Sequence, residues 1–236
     1  MAPRTFFNRI DRVWIRTSPK CSCRSVSDFA WEVAQSKQIR CPIRSNIIVF
    51  RNPYKRVISG FLNKYVEHKN YLEASRRRNP QINLSTFQDF LEELYRSNYR
   101  YIDKLHFMPQ ISKHRWVSFD AIYDSDHLKP LESHINSMFE TNIEMPFRVN
   151  KYGPKDGKSG ETISDGAPCP ENAWRLEREA LLELIQQKKI PHYQNFFNDR
   201  LKGMVRELYN DDFRFLRTSL HLGVADEKLY TDLTSI

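Results

Sequence analysis

Asn46-Ile47-Ile48-Val49-Phe50-Arg51-Asn52-Pro53-Tyr54-Lys55-Arg56-Val57-Ile58-Ser59-Gly60-Phe61 decides the fold class. Asn46 to Phe50 is almost wholly apolar, as expected of a strand buried on both faces of a parallel sheet. Arg51-Asn52 ends the run. Pro53 then suits the first turn of a helix, where its missing N–H costs nothing. Val57, Ile58, Phe61, Leu62 and Tyr65 follow at helical spacing. Upstream, Arg12-Val13-Trp14-Ile15-Arg16-Thr17 reads as another strand and Ser18 to Ser25 as a polar loop. Val26, Phe29, Ala30, Val33 and Ala34 then predict a helix from Arg24 to Ser36. Strand, loop, helix, strand, loop, helix implies a right-handed crossover and a three-layer α/β core.

Downstream the pattern is mostly helical. Phe87, Phe90, Leu91 and Leu94 form an apolar stripe behind Ser85-Thr86, an expected N-cap. Phe119 to Tyr123 alternates like a strand, and His127 to Phe139 reads as a helix. Lys151 to Pro170 collects Gly153, Gly157, Gly160 and Gly166 with Pro154, Pro168 and Pro170, and is expected to be a long mobile loop. Trp174, Leu181, Leu182, Leu184 and Ile185 predict one helix, and Val205 to Leu216 is mainly helical. The expectation is one domain: cofactor-binding units over 11–66, a helical acceptor region over 67–150, the loop over 151–170, and C-terminal helices over 171–236.

Composition narrows the partners. The 236 residues suffice for a substantial core, and 40% hydrophobic content argues against a disordered chain. No apolar run approaches the roughly 18–20 residues of a membrane span, and no leader is read at the N-terminus, so a cytoplasmic protein is expected. The 37 basic against 29 acidic side chains give +8, which favours an anionic partner. The basic residues are scattered without the aromatic-plus-basic ribonucleoprotein pattern, so nucleic acid is not expected. Cys21, Cys23, Cys41 and Cys169 fit neither a zinc ribbon nor a disulfide framework, and no metal site is expected.

The loops after the two best strands are the candidate ligand sites, because open α/β sheets bind anions there against helix N-termini. The first carries Lys20, Arg24 and Ser25; the second carries Arg51, with Arg56 and Ser59 along the next helix. Two such cradles suit a ligand with two separated phosphate-like groups. Neither a Walker A motif nor G-x-G-x-x-G is present.

These residues carry a resemblance. Pro19-Lys20-Cys21-Ser22-Cys23-Arg24-Ser25 resembles the 5′-phosphosulfate loop of sulfotransferases, P-K-x-G-x-T-S in the carbohydrate branch. Arg51-Asn52-Pro53-Tyr54-Lys55-Arg56-Val57-Ile58-Ser59-Gly60-Phe61 resembles their 3′-phosphate motif, R-D-P-x-x-R-x-x-S-x-[YF]. Asp103-x-x-His106-x-x-Pro109-Gln110 is similar to the central H-W-x-P segment. Phe119 to Tyr123 with Asp126 resembles Y-D-x-I-G-x-x-E, and Leu208-Tyr209-x-x-Asp212-Phe213 resembles the closing L-Y-x-x-D-F. Ser22 stands where the family has glycine, Arg24 where it has threonine, and Asn52 where it has aspartate.

The resemblance implies a P-loop-like three-layer α/β sandwich with a central parallel sheet, extended by additional helices. It implies sulfuryl transfer from 3′-phosphoadenosine 5′-phosphosulfate (PAPS) to a hydroxyl of a carbohydrate or glycolipid, leaving 3′-phosphoadenosine 5′-phosphate (PAP), with no metal. On that reading Lys20 holds the bridging oxygen, while Cys21, Ser22, Cys23, Arg24 and Ser25 cradle the phosphosulfate. Arg51, Arg56 and Ser59 hold the 3′-phosphate, and Asn150 and Lys151 lie near the purine or a phosphate. His106 is the first choice of general base, ahead of Asp103 and His68. Arg76-Arg77-Arg78 reads as a solvated run, with contact to an acidic acceptor as the alternative. Animal members commonly carry a Golgi anchor; without one, this chain resembles a soluble bacterial enzyme, with peripheral membrane association left open. Two rivals remain: a nucleotide-dependent kinase or transferase, and a non-catalytic basic binder of nucleic acid or acidic polysaccharide.

Overall fold

The computed structural model describes residues 7–36, 43–146, 171–187 and 189–236. In chain order it holds β1 (Phe7–Ile10), β2 (Val13–Arg16), α1 (Cys23–Ser36), β3 (Ser45–Phe50) and α2 (Pro53–Phe61). Then come α3 (Lys69–Arg78), α4 (Phe87–Ser97), the short α5 (Lys104–Phe107), β4 (Ala121–Asp124) and α6 (Lys129–Phe139). The C-terminal part holds α7 (Arg178–Gln186), α8 (Asp199–Leu208), α9 (Asn210–His221) and α10 (Glu227–Thr234). The chain forms two compact units: residues 7–36, 43–52, 110–146 and 211–235 in the first, and 53–109, 171–187 and 189–210 in the second.

The first unit is built on a four-stranded sheet of order β1-β2-β3-β4. β2, β3 and β4 run parallel, with Ile15 beside Ile47 and Ile48 beside Ile122. The sheet is mixed, a correction to the expected parallel one: β1 pairs antiparallel with β2, Ile10 opposite Val13. Only Asp11 and Arg12 separate these strands, and Asp11 takes a φ of 49°. So short a connection can make only a hairpin, because a parallel neighbour needs a crossover.

Alternation along the strands sorts their side chains into two cores. Val13, Ile15, Ile47 and Val49 pack with Val26, Phe29 and Val33 of α1 and Leu131 and Ile135 of α6. On the other face, Ile48, Phe50 and Ile122 pack with Leu216 of α9 and Leu233 of α10. Helix, sheet and helix make the three layers. The apolar stripe of α1 is what closes the crossover between β2 and β3.

The second unit is helical around an aromatic centre. Phe90 lies 5.0 Å from each of Phe61, Tyr65 and Phe107, between ring centroids. α4 starts where predicted: Thr86 accepts from the Asp89 N–H and Asp89 accepts from the Thr86 N–H, a reciprocal cap. Three helical runs differ from the sequence reading. Past Phe61 the chain winds into a π-helical segment over Leu62–Glu67. The single helix expected from Trp174 to Ile185 is a 3₁₀ turn, Ala173–Arg175, and α7, separated by extended Leu176. The last run breaks at Tyr209 between α8 and α9. Among the described residues no helix is long and apolar enough to cross a membrane.

Candidate functional site

The Lys20 loop leaves β2 and enters α1 through two left-handed residues, Lys20 (φ 70°) and Ser22 (φ 51°). A side chain at such a φ is costly, and Ser22 is the position where the sulfotransferase motif has glycine. A turn closes where the Cys21 N–H donates to the Ser18 carbonyl at 3.0 Å. The Val26 N–H, donating to the Ser22 carbonyl at 3.1 Å, opens the helical ladder. The N–H groups of Cys23, Arg24 and Ser25 therefore precede the first helical bond and form the positive end of α1.

The strand ends converge on this helix terminus. Val13 and Ile15, Ile47 and Val49, and Ala121 and Tyr123 all lie on the face of the sheet packed by α1 and α6. One more step of alternation on each strand puts Thr17, Arg51 and Ser125 on that same side. The Ser125 N–H donates to the Phe50 carbonyl at 2.8 Å, so pairing continues past Asp124. Two bonds tie these residues to the loop: Arg51 Nη1 donates to the Lys20 carbonyl at 3.1 Å, and Ser22 Oγ donates to the Ser125 carbonyl at 2.8 Å. Thr17 and Ser125 are buried, yet among the described residues Thr17 Oγ1 and Ser125 Oγ find no hydrogen-bond partner.

Charge around this nest is managed locally. Asp126 lies 3.2 Å from Arg51 Nε, and Asp124 accepts from His127 Nδ1 at 2.9 Å. Burial and the neighbouring Asp126 carboxylate push the Asp124 carboxyl above its usual range. Burial also raises the Cys23 thiol, outweighing Arg24 and Lys20, so Cys23 is no activated nucleophile. Cys21 is fully buried and donates to Gln110 Oε1 at 2.8 Å.

Gln110 is the node that sequence reasoning quoted in a motif without giving it a role. Its side chain accepts from the Arg51 N–H at 3.0 Å and donates to the Arg51 carbonyl at 2.8 Å. Its backbone N–H donates to buried Asp212 Oδ2 at 3.0 Å, and the Ile111 N–H donates to Oδ1 at 2.9 Å. The central and closing motifs thus meet at the Arg51 junction. Asn52 donates to the Asp232 carbonyl at 3.1 Å near the end of α10. A carboxylate could not make that bond, which gives the amide at this position a physical reason.

Arg56 and Ser59 lie on α2 in the second unit and are buried. Arg56 Nη1 donates to the Met108 carbonyl at 2.9 Å. His106 and Asp103 come together as a pair. Asp103 caps α5 through the Leu105 N–H, and its Oδ2 lies 2.5 Å from His106 Nδ1. Burial pushes the Asp103 carboxyl up, but the hydrogen bond and charge of His106 outweigh it, and its pKa is lowered. The Tyr71 ring stands edge-on to the imidazole at 6.2 Å. Both residues line a cavity of about 710 Å³ with Tyr71, Arg78, Arg100 and Lys104. His68 precedes α3 and is not among the lining residues. Asn150, Lys151, the expected loop over 151–170, Cys41 and Cys169 lie outside the described residues.

Comparison with known proteins returns no matching family model, no matching curated protein and no matching solved structure. The functional reading rests on the chain's own residues. Their arrangement offers an oxyanion cradle at α1 and, in the second unit, a carboxylate–imidazole pair able to accept a proton.

Proposed function

We propose that the protein is a sulfotransferase of P-loop-like architecture that takes its sulfuryl group from PAPS and transfers it to a hydroxyl of a carbohydrate or glycolipid. The observation that carries this reading is the nest at α1. The Lys20 loop enters α1 through left-handed Lys20 and Ser22 and is tied to the strand ends by the Arg51–Lys20 and Ser22–Ser125 bonds, and the first N–H groups of α1 suit a tetrahedral oxyanion.

Bound PAPS supplies an activated sulfuryl group whose S–O bond to the phosphate breaks as the acceptor oxygen bonds to sulfur. The N–H groups of Cys23, Arg24 and Ser25 hold the phosphosulfate oxygens. Lys20 stabilises charge developing on the departing oxygen, an electrostatic role that supplies most of the catalysis in such transfers. Arg51 fixes the loop through the Lys20 carbonyl; in the second unit, Arg56 and Ser59 are the residues the motif resemblance assigns to the 3′-phosphate. His106 takes the acceptor's proton on Nε2. Asp103, accepting from Nδ1–H, selects that tautomer and stabilises the imidazolium that results.

The test is the melting temperature of the purified chain with PAP, AMP or ATP–magnesium. A ligand at a hundredfold excess over its Kd stabilises by about 2.7 kcal/mol. The expected result is an upward shift with PAP alone, retained in His106→Ala while PAPS turnover is lost. Equal shifts with ATP–magnesium favour the kinase rival, and no shift with PAP removes the reading.

A further inference from the structure

Two buried hydroxyls with no partner need an explanation, since most buried polar side-chain atoms find one. Thr17 is 2% exposed and Ser125 4%, and neither Thr17 Oγ1 nor Ser125 Oγ has a hydrogen-bond partner among the described residues. Thr17 follows β2 and Ser125 follows β4, on strands separated by β3. Both positions continue the alternation on the face packed by α1 and α6. Ser125 is tied to the loop by its carbonyl, which accepts from Ser22 Oγ at 2.8 Å, while its own hydroxyl is left over. Fourteen-residue α1 opens there with N–H groups that precede its first helical bond. The neighbouring carboxylates are engaged, Asp126 beside Arg51 and Asp124 beside His127.

We infer that the Thr17 and Ser125 hydroxyls are anion ligands, donating to different oxygens of an extended phosphosulfate-like anion held at the N-terminus of α1: Ser125 at the level of Arg51, Thr17 two residues back along the sheet. Neither residue belongs to the loop segment from Lys20 to Ser25 or to the Arg51 motif. Both hydroxyls are kept without a protein partner because the ligand is the partner. For the proposed reaction they hold oxygens of the phosphosulfate and restrict its rotation about the axis of transfer.

This rests on the sulfotransferase reading only for the ligand's name, and the experiment separates the two. Thr17→Val, Ser125→Ala and the double variant are compared with the parent chain. Melting temperature without ligand is measured first, then Kd for PAP, inorganic sulfate and pyrophosphate by calorimetry. Removing an unpaired buried hydroxyl leaves the unliganded melting temperature unchanged or raises it. PAP affinity is expected to fall about tenfold or more per hydroxyl, as for hydrogen bonds to charged groups. Thr17→Ser, which keeps the donor, retains affinity and guards against a Thr17→Val variant that misfolds. Parent-like PAP affinity in both single variants overturns the inference and leaves the sulfotransferase reading standing. Parent binding of sulfate or pyrophosphate but not PAP, weakened by the variants, overturns that reading and supports the inference. If the parent chain binds none of the three anions, both fall.

Discussion

His114 shows how one side chain makes stability depend on pH. Its ring is buried against Phe7 and Phe119, with centroids 6.3 and 6.2 Å away. Burial first, then the charges of Arg16 and Lys113, lower its pKa from 6.5 to about 4. The unfolded chain therefore takes up a proton near pH 6.5 that the folded chain refuses until about pH 4. Stability from this group is fully present above the higher value and is lost as pH falls towards the lower one. His134, also lowered by burial, acts in the same sense. Asp124, whose carboxyl is raised, acts oppositely at the acid end of the range. Between about pH 7.5 and 5.0, the His114 share is about 2 kcal/mol. Urea midpoints of the parent and His114→Phe at both pH values check this: the variant should lose most of that difference. An unchanged difference would assign the pH dependence to other groups.

At the scale of elements, helix packing decides the sign of a single methyl. Gly60 sits in α2 against α5, and a Cβ there would meet Phe107 Cε1 at 2.6 Å and Cζ at 2.8 Å. Phe107 is itself locked among Tyr65 and Phe90. Gly203 in α8 has nothing within 4 Å of the same position. Alanine at an open helical site gains about 1 kcal/mol over glycine, whereas overpacking a filled core costs about 1–3 kcal/mol. Gly203→Ala should raise the melting temperature and Gly60→Ala should lower it; two shifts of the same sign would refute the packing argument. This difference also bounds what the sequence could reveal. The α1 stripe, the buried β3 and the Thr86 cap were legible because period and capping are local properties. β1 was missed because four residues of alternation are a weak signal, and its hairpin turns on the φ of Asp11. The break at Leu176 and the π-helical segment after Phe61 were missed because composition there remains helix-like. In the site, Lys20, Arg51 and the Asp103–His106 spacing could be read directly. The meeting of Gln110 with Arg51 and Asp212 could not, since it joins positions 59 and 102 residues apart. The orphaned Thr17 hydroxyl was half legible: alternation from Val13 and Ile15 gives its side, but only the fold gives its isolation.

At the scale of the whole molecule, the net charge of +8 separates the proposed function from its polyelectrolyte rival. A chain that binds DNA or an acidic polysaccharide through many cations releases condensed counterions, and its affinity falls about 10³–10⁵-fold between 50 and 200 mM salt when 6–10 phosphates are contacted. A nucleotide held at a buried nest engages few charges. Several of its donors are neutral, namely the N–H groups at the start of α1 and the Thr17 and Ser125 hydroxyls. The cations assigned to the ligand are few and shielded from bulk salt: Arg51 is 3% exposed and Arg56 is 1% exposed. PAP affinity is therefore expected to fall less than about tenfold over the same salt range, while any retention on single-stranded DNA or heparin is lost. Calorimetric titration with PAP at both salt concentrations, beside DNA binding by fluorescence anisotropy, measures the two slopes. A shallow PAP slope with a steep DNA slope makes the nest the specific site and the surface charge a non-specific field. If PAP affinity collapses as steeply as that for DNA, binding is carried by exposed cations, and the reading built on the strand ends and α1 is wrong.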